Sequence, residues 1–176
     1  MRFPILGPAF FEQSALDIAP ELIGKYLVRK DGVYDIEAMI LDVEAYDGFD
    51  DKASHASRGK TDRNAPMFGP AGHWYIYLVY GMHWMLNIVT GKEGHPAAVL
   101  IRGCLAEDRT QVSGPARVTK LFGVDRSFDG SLAGKKTGLW FEDRGLKVPR
   151  SAIRQGPRIG VEYAGTWAKK PYRFYL

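Results

Sequence analysis

Two apolar runs separated by a glycine constrain the fold of this chain more than any other feature. Residues 74–80 and 84–89 are rich in aromatic and aliphatic side chains, and Gly81 lies between them. Such runs favour β-strands, and the glycine favours a turn. The segment therefore predicts two strands whose tyrosines form a surface for stacking on flat rings, with Tyr80 as a wedge at its tip.

Other strands are predicted from short apolar runs bounded by turn residues. Residues 26–28 and 36–43 flank a turn at Asp31-Gly32 and predict a hairpin. Further strands are predicted at residues 97–102, 139–142, 158–163 and 172–175.

The first helical pattern lies near the start of the chain. Residues 14–25 predict a short helix or helix pair that is capped by Ser14 and ends near Gly24. Pro20 is expected to mark a helix start or break.

A second helix is predicted at residues 113–123, because Ser113 precedes an early proline and a glycine ends the run. Residues 127–136 are rich in turn residues and are expected to be mobile. We therefore expect residues 1–176 to form a single domain of mixed α/β (α+β) class, in which short helices flank a curved, largely antiparallel sheet.

Composition restricts the environment of the protein. A chain of 176 residues can bury a core of its own, and Cys104 is its single cysteine, so an intrachain disulfide is impossible and a reducing compartment is favoured. No sustained apolar run precedes Glu12, so the start does not resemble a secretory signal. The longest apolar stretch, residues 74–89, is shorter than the roughly 20 residues that a membrane helix needs. We expect a soluble, intracellular protein that does not enter membranes.

Charge is distributed unevenly along the chain. Residues 1–103 carry 10 Lys and Arg against 13 Asp and Glu, whereas residues 104–176 carry 14 against 7, so the net charges are −3 and +7. The basic part could attract phosphates, or it could simply be a solvated surface.

Two carboxylates stand out on a predicted strand. Asp42 and Glu44 are two residues apart, so they project from one face at a separation of roughly 7 Å and could form a carboxylate dyad. For Asp42 we favour the alternative of a sheet-edge residue that makes a backbone hydrogen bond. Glu44 lies where the apolar strand meets the polar loop 47–72, a place where a carboxylate can have a tuned pKa and hold a water.

Taken one at a time, the remaining candidates favour ordinary structural roles. His55 has no second His or Cys at ligand spacing, so a metal site is not expected. Tyr46 and Tyr77 resemble sheet aromatics. Residues 69–72 contain two glycines but lack the Lys-Ser/Thr pair and the helix of a phosphate-binding loop.

Taken together, the motifs have a specific resemblance. They are Glu44-Ala45-Tyr46, His55, residues 63–68, residues 72–77, Tyr80-Gly81-Met82, Asn87 and residues 98–102. This set resembles the methylpurine (alkyladenine, 3-methyladenine) DNA glycosylases, and further matching segments extend the resemblance from residue 22 to residue 174.

The resemblance implies a hydrolytic reaction on a base that has been rotated out of duplex DNA. Glu44 matches the general base that draws a proton from the attacking water, and Arg102 is expected to hold that water or the carboxylate. Because water is the nucleophile, no Schiff-base lysine is required, and neither a cofactor nor a metal is expected.

The same resemblance assigns the pocket. Tyr46 and Tyr77 are expected to sandwich the extruded purine, while His55 closes the pocket and bonds the edge of the base. Asn87 matches the position that crowds the amino group of normal guanine.

Contacts with DNA outside the pocket are also implied. Tyr80 matches an intercalating tyrosine, and Met82 is expected to lean on the same gap in the stack. The remaining candidates for the DNA backbone are Arg58, Lys60, Arg63, Asn64, Arg117 and Lys120. The first four could instead brace the pocket loop.

The expected partner is double-stranded DNA that contains damaged purines, and a monomer is expected. The expected reaction releases purines of the 3-methyladenine, hypoxanthine and ethenoadenine class and leaves an abasic site. Two alternatives stay open: a module that binds damage without chemistry, and an enzyme that acts on free nucleosides.

Overall fold

Nine antiparallel strands form one sheet in the computed structural model, which describes residues 3–32 and 34–176. The strands are β1 (Tyr26–Asp31), β2 (Tyr34–Asp47), β3 (Trp74–Val79), β4 (His83–Val89), β5 (Ala97–Ala106), β6 (Gln111–Ser113), β7 (Leu139–Glu142), β8 (Arg154–Gly156) and β9 (Arg173–Tyr175). The main order is β3-β4-β5-β2-β1-β7, while β6 pairs with β5, β9 with β2 and β8 with β9. The predicted mixed class with a largely antiparallel sheet is confirmed.

Short helices flank this sheet. They are the α-helices α1 (Pro8–Phe11), α2 (Ala15–Leu22) and α3 (Pro115–Leu121), and 3-10 helices at His55–Arg58, Ala65–Phe68, Arg126–Phe128, Arg150–Ala152 and Glu162–Lys169. Ser14 caps α2 as predicted, because its hydroxyl accepts a hydrogen bond from the backbone N–H of Asp17. Pro20, however, lies inside α2 and does not break it. Pro20 is buried, and its missing N–H removes one helical hydrogen bond. The helix then ends two residues later, at Leu22.

The apolar core forms where α2 packs on β2 and β5. Its members include Ile18, Leu22, Ile40, Val43, Ile101 and Phe141. Burial of each such side chain contributes about 1.5–3 kcal/mol, which makes this part of the sheet a rigid support for residues on its other face.

The predicted strand at residues 158–163 is wrong. Its alternating apolar residues imitate a strand, but Gly160 has a φ of +77° and the backbone N–H of Ile159 donates to the side chain of Glu44 rather than to a neighbouring strand. The strand in this region is β8, and a 3-10 helix follows at Glu162–Lys169.

The predicted start of the second helix also needs correction, whereas the mobility of residues 127–136 stays a prediction. Ser113 ends β6, and Gly114, with a φ of +107°, is the residue that precedes α3. Residues 127–136 lie along the exposed edge of β3, where backbone hydrogen bonds join Trp74 to Ser131 and to Gly130. This segment therefore protects the edge strand from pairing with other chains.

No helix within residues 3–32 and 34–176 has both the length and the apolar character needed to cross a bilayer. The prediction about a secretory signal begins at Met1 and Arg2, which lie outside the described residues.

Candidate active site

The site is organised by an irregularity in the pairing of β2 with β5. Each strand carries one extra residue at this point, Leu41 on β2 and Arg102 on β5, without a partner in the register. A bulge of this kind bends the strand and re-aims its side chain. The Arg102 guanidinium approaches the carboxylates of Glu44 and Asp42, with Nη1 3.3 Å from Glu44 Oε1 and Nε 3.9 Å from Asp42 Oδ2.

Glu44 is completely buried and its carboxylate is held from several sides. Oε1 accepts a hydrogen bond from the backbone N–H of Ile159 (2.8 Å), and Oε2 accepts one from the Tyr46 hydroxyl (2.8 Å). Burial raises the pKa of Glu44 above its ordinary value, while Arg102 opposes this rise. The carboxylate is thus held in one orientation, and it is a stronger base than an exposed glutamate.

Asp42 does not have the role that we favoured from the sequence. Its strand is internal, and its carboxylate accepts two hydrogen bonds from Arg173, Nε to Oδ1 at 3.0 Å and Nη2 to Oδ2 at 2.8 Å. The sheet-edge backbone hydrogen bond is therefore wrong, because the residue lies between two arginines on the same face as Glu44.

A cavity of about 360 Å³ lies against Glu44. Its lining includes Glu44, Tyr46, His55, Arg63, Tyr75, Tyr77, Tyr80, Asn87, Arg102, Pro115, Ile159 and Tyr163. Eight residues singled out from the sequence thus come together at one cavity, whereas Arg58, Lys60, Asn64, Met82, Arg117 and Lys120 do not line it.

Aromatic rings form much of the cavity surface. His55 Nδ1 is 2.8 Å from the Tyr75 hydroxyl, and the His55 ring meets Tyr77 edge-on with centroids 4.6 Å apart. Burial, assisted by the charge of Arg63, lowers the pKa of His55. The imidazole is therefore neutral at pH 7 and can offer a donor and an acceptor to a ligand.

Asn87 is buried and lines the cavity. Its amide Nδ2 donates to the backbone carbonyls of Tyr75 (3.0 Å) and Met85 (3.4 Å). These bonds fix the side chain, so its bulk occupies a constant position in the pocket.

The turn between β3 and β4 projects two apolar side chains into solvent. Tyr80 is 88% exposed and Met82 is 69% exposed. Tyr80 and Gly81 both have positive φ (53° and 67°), the geometry that suits the twist of a tight hairpin but is uncommon for a tyrosine. Tyr80 also lines the cavity, so the exposed tip and the pocket are adjacent.

The loop after β2 contains residues that hydrogen-bond within the protein, Arg63 and Asn64, and residues that are exposed, Arg58 and Lys60. Asn64 is buried, and its amide accepts from the N–H of Thr61 and donates to the carbonyls of His55 and Gly59, so bracing of the loop is the favoured role. Arg63 donates to the carbonyl of Leu78.

The other basic candidates are exposed, and their contact with phosphates stays a prediction. Arg58 and Lys60 lie on the loop surface, and Arg117 and Lys120 project from α3. Pro115 at the start of α3 lines the cavity, which places this helix beside the site.

The sequence reasoning missed the buried ion pair of Asp51 and Arg158. Both side chains have no exposure, and the guanidinium makes two hydrogen bonds to the carboxylate (2.5 and 2.7 Å) and one to the carbonyl of Ala45 (2.8 Å). Arg158 also lies 4.6 Å from the centre of the Tyr46 ring and 5.1 Å from that of Tyr172. The pair supports one wall of the pocket.

Two more lining residues had no assigned role. Ile159 holds Glu44 through its backbone, and the Tyr163 hydroxyl donates to the carbonyl of Ala53 (3.1 Å). These residues lie within the range of the family resemblance, but the strand predicted at residues 158–163 concealed the contact of Ile159 with Glu44.

Within residues 3–32 and 34–176, no group of three or more His, Cys, Asp or Glu side chains is arranged to hold a metal ion. That the reaction needs no cofactor stays a prediction.

Known proteins are similar to this chain over nearly its whole length. The family model described as methylpurine-DNA glycosylase (MPG) matches residues 9–176. A protein of Anaeromyxobacter dehalogenans strain 2CP-C is 43% identical over 177 residues, covering 97% of this chain and 83% of that protein. Proteins of Legionella pneumophila strain Corby (42% over 175 residues, covering 95% and 91%) and Methanocella arvoryzae (40% over 187 residues, covering 98% and 92%) are also similar. All three are named "Putative 3-methyladenine DNA glycosylase".

Proposed function

Because this chain belongs to the methylpurine-DNA glycosylase family, and is therefore a DNA glycosylase of base-excision repair, we propose that it releases alkylated and deaminated purines from duplex DNA. The substrates would be of the 3-methyladenine, hypoxanthine and ethenoadenine class. The enzyme would rotate the damaged nucleotide out of the helix, hydrolyse its N-glycosidic bond with water and leave an abasic site. It would act inside the cell as a monomer.

The observation that carries this proposal is the placement of Glu44. Burying a carboxylate costs free energy unless hydrogen bonds and opposite charges compensate it, and this one lies against a cavity lined by aromatic rings. Its oxygens are held by Ile159 and Tyr46, and Arg102 lies 3.3 Å away.

In the proposed reaction Glu44 takes a proton from a water molecule as that water attacks the sugar carbon. The raised pKa makes the carboxylate a better acceptor for this proton. Arg102 neutralises part of the charge and can also bond the water, which fixes the direction of attack.

Extrusion of the base is assigned to the hairpin tip. Rotating a nucleotide out of the stack costs a few kcal/mol, and least for a damaged or mismatched base. Tyr80 would enter the vacated space, and Met82 would pack against the same gap. Both side chains are exposed, 88% for Tyr80 and 69% for Met82, so they are free to enter a duplex.

Selection of the base is assigned to the pocket. Tyr46 and Tyr77 would stack on the purine, at about 1–3 kcal/mol per stacked ring, and neutral His55 would bond its edge. Asn87 is fixed by two hydrogen bonds and would collide with the exocyclic amino group of guanine.

The two alternatives fit the structure less well. A module that only binds damage has no use for a buried carboxylate with a raised pKa. An enzyme of free nucleosides has no use for a tyrosine that is 88% exposed at the cavity mouth.

Release of hypoxanthine tests the proposal. We expect release from a duplex oligonucleotide that carries one deoxyinosine, and no comparable release from free inosine or from an undamaged duplex. Binding without release would favour the damage-binding module, and faster release from inosine would favour the nucleoside enzyme. If hypoxanthine is not released, a duplex that contains 3-methyladenine is tested next. Release of 3-methyladenine would then show a narrow specificity, and no release would show that glycosylase activity is absent.

A further inference from the structure

Two arginines from opposite sides of β2 approach the carboxylates of Asp42 and Glu44. Arg102 belongs to β5 and Arg173 to β9, and both strands pair with β2 next to Asp42 and Glu44. The two positive charges are not shared equally between the two carboxylates.

Arg173 engages Asp42 although it lies opposite Glu44. In the ladder between β2 and β9 the partner of Arg173 is Glu44, yet its guanidinium makes both of its carboxylate hydrogen bonds to Asp42 (3.0 and 2.8 Å). Asp42 thereby removes one arginine from Glu44.

Arg102 is placed between the two carboxylates. Its Nη1 faces Glu44 at 3.3 Å, whereas its Nε faces Asp42 at 3.9 Å. Nε is buried and has no hydrogen-bond partner, so Asp42 is the nearby charge that compensates this edge of the guanidinium.

We propose that Asp42 is a positioning residue for the excision reaction: it holds Arg173 and the Nε edge of Arg102, so that Glu44 keeps one arginine contact and stays free to accept a proton from water. The inference rests on the proposed function, because it assigns Asp42 a task in the same site.

The backbone at Gly103 leaves room for the side chain of Asp42. A Cβ atom at Gly103 would lie 3.1 Å from the Cβ of Asp42 and 3.3 Å from the carbonyl oxygen of Val112. A side chain at this position would displace Asp42, and the adjacent bulge at Leu41 and Arg102 turns the arginine toward the carboxylates.

The electrostatic directions agree with the geometry. Arg102 lowers the pKa of Glu44, and the charge of Asp42 raises it. The titratable or charged side chains that act on Glu44 are Asp42 and Tyr46 on β2, Tyr77 on β3, Arg102 on β5, Arg173 on β9 and Arg158.

Two substitutions should move the titration of Glu44 in opposite directions. Asp42→Asn keeps the shape but removes the negative charge and releases Arg173, so the pKa of Glu44 should fall. Arg173→Gln leaves Asp42 uncompensated, so the pKa of Glu44 should rise. The double variant should titrate between the two single variants, because it removes one charge of each sign.

The measurement is a carboxyl 13C NMR titration of glutamate-labelled protein, in which the Glu44 signal is identified by its loss in Glu44→Gln. Single-turnover excision across pH is measured in parallel. Asp42→Asn should shift the acid limb of the rate to lower pH and lower the plateau about three- to tenfold, since a weaker base accepts the proton less readily. Arg173→Gln should shift the limb to higher pH.

Each outcome supports or overturns the inference. Opposite shifts of the Glu44 titration support it, whereas equal or absent shifts in variants with native circular dichroism overturn it and leave only a structural ion pair. The NMR titration does not require excision, so a protein that shows the shifts but releases no base would refute the proposed function alone. Normal excision by wild type with an unmoved titration in both variants would refute only the role of Asp42.

Discussion

At the scale of single residues, the site depends on side chains that do two things at once. Tyr46 lines the wall of the cavity with its ring and holds Glu44 with its hydroxyl. Burial, with the nearby Glu44, raises the pKa of Tyr46 well above its ordinary value, so this hydroxyl remains a donor at any working pH.

Tyr46→Phe should retain stacking but lose the hydrogen bond to Glu44. A bond to a charged group contributes about 1.5–3 kcal/mol, so we expect single-turnover excision to fall about 10- to 100-fold. The bond lowers the pKa of Glu44, and its loss should therefore move the acid limb of the pH–rate profile to higher pH.

Tyr77→Phe is the matched control, because it removes a hydroxyl from the other predicted stacking residue. It should change the rate by less than about threefold. An equal loss in both variants, or an unmoved acid limb in Tyr46→Phe, would mean that the hydroxyl does not position the carboxylate.

Asn87→Ser should admit a larger purine edge, because it removes volume from a buried position in the pocket. We expect slow release of guanine or N7-alkylated guanine from duplex DNA, with hypoxanthine release within about tenfold of wild type. Guanine release no higher than that of wild type, in a variant that still releases hypoxanthine, would refute the steric role.

At the scale of elements, the β3–β4 hairpin has buried residues along its strands and an exposed tip at its turn. Ile76 and Leu86 anchor the strands in the core, while Tyr80 stands in a left-handed conformation at the turn. A rigid hairpin of this kind can hold the Tyr80 side chain in solvent and prevent it from folding back onto the protein.

Tyr80→Ala should impair extrusion, because nothing then fills the space left in the stack. Excision of a lesion in a stable pair should fall more than excision of the same lesion in a mismatch, since the mismatched base costs less to extrude. Single-turnover rates on the two duplexes measure this difference. Equal losses on both would exclude the wedge role, and His83→Ala, exposed at the start of β4, serves as the control.

At the scale of the whole molecule, the sheet gathers charges from distant parts of the chain around one cavity. The exposed basic residues of α3 stand beside this cavity, in the part of the sequence with a net charge of +7. We propose that a DNA backbone approaches from that side.

Charge reversal on α3 tests that orientation. Binding to lesion DNA should weaken with salt at a slope of about −0.9 per phosphate neutralised, and Arg117→Glu or Lys120→Glu should reduce the magnitude of the slope by about one unit. Lys30→Glu, on the exposed end of β1 away from the cavity lining, is the control. Slopes equal to that of wild type would assign α3 to bulk surface.

Local patterns predicted those parts of the fold that local forces determine. The apolar runs of β3 and β4, the cap at Ser14 and the strand β7 follow from residue type and short spacing. Residues 158–163 show where this reasoning failed, because their alternation agrees with a strand while contacts with the distant Glu44 determine their conformation.

The site was accessible from sequence mainly through the family resemblance. Base rates alone favoured structural roles for His55, Tyr46 and Tyr77. The pair of Asp51 and Arg158 is separated by more than a hundred residues, and no spacing rule connects them. Likewise, the engagement of Asp42 by Arg173 depends on a terminal strand that joins β2 in three dimensions.

The most direct test of the central claim is the single-turnover rate of hypoxanthine excision by Glu44→Gln. The substitution keeps the shape of the side chain but removes the proton acceptor, so the rate should fall about 10²- to 10⁴-fold while affinity for lesion DNA is largely retained. Glu107→Gln, on the exposed turn after β5, should behave as wild type. An unchanged rate in Glu44→Gln, or the same loss in both variants, would contradict a mechanism in which this buried carboxylate activates the attacking water.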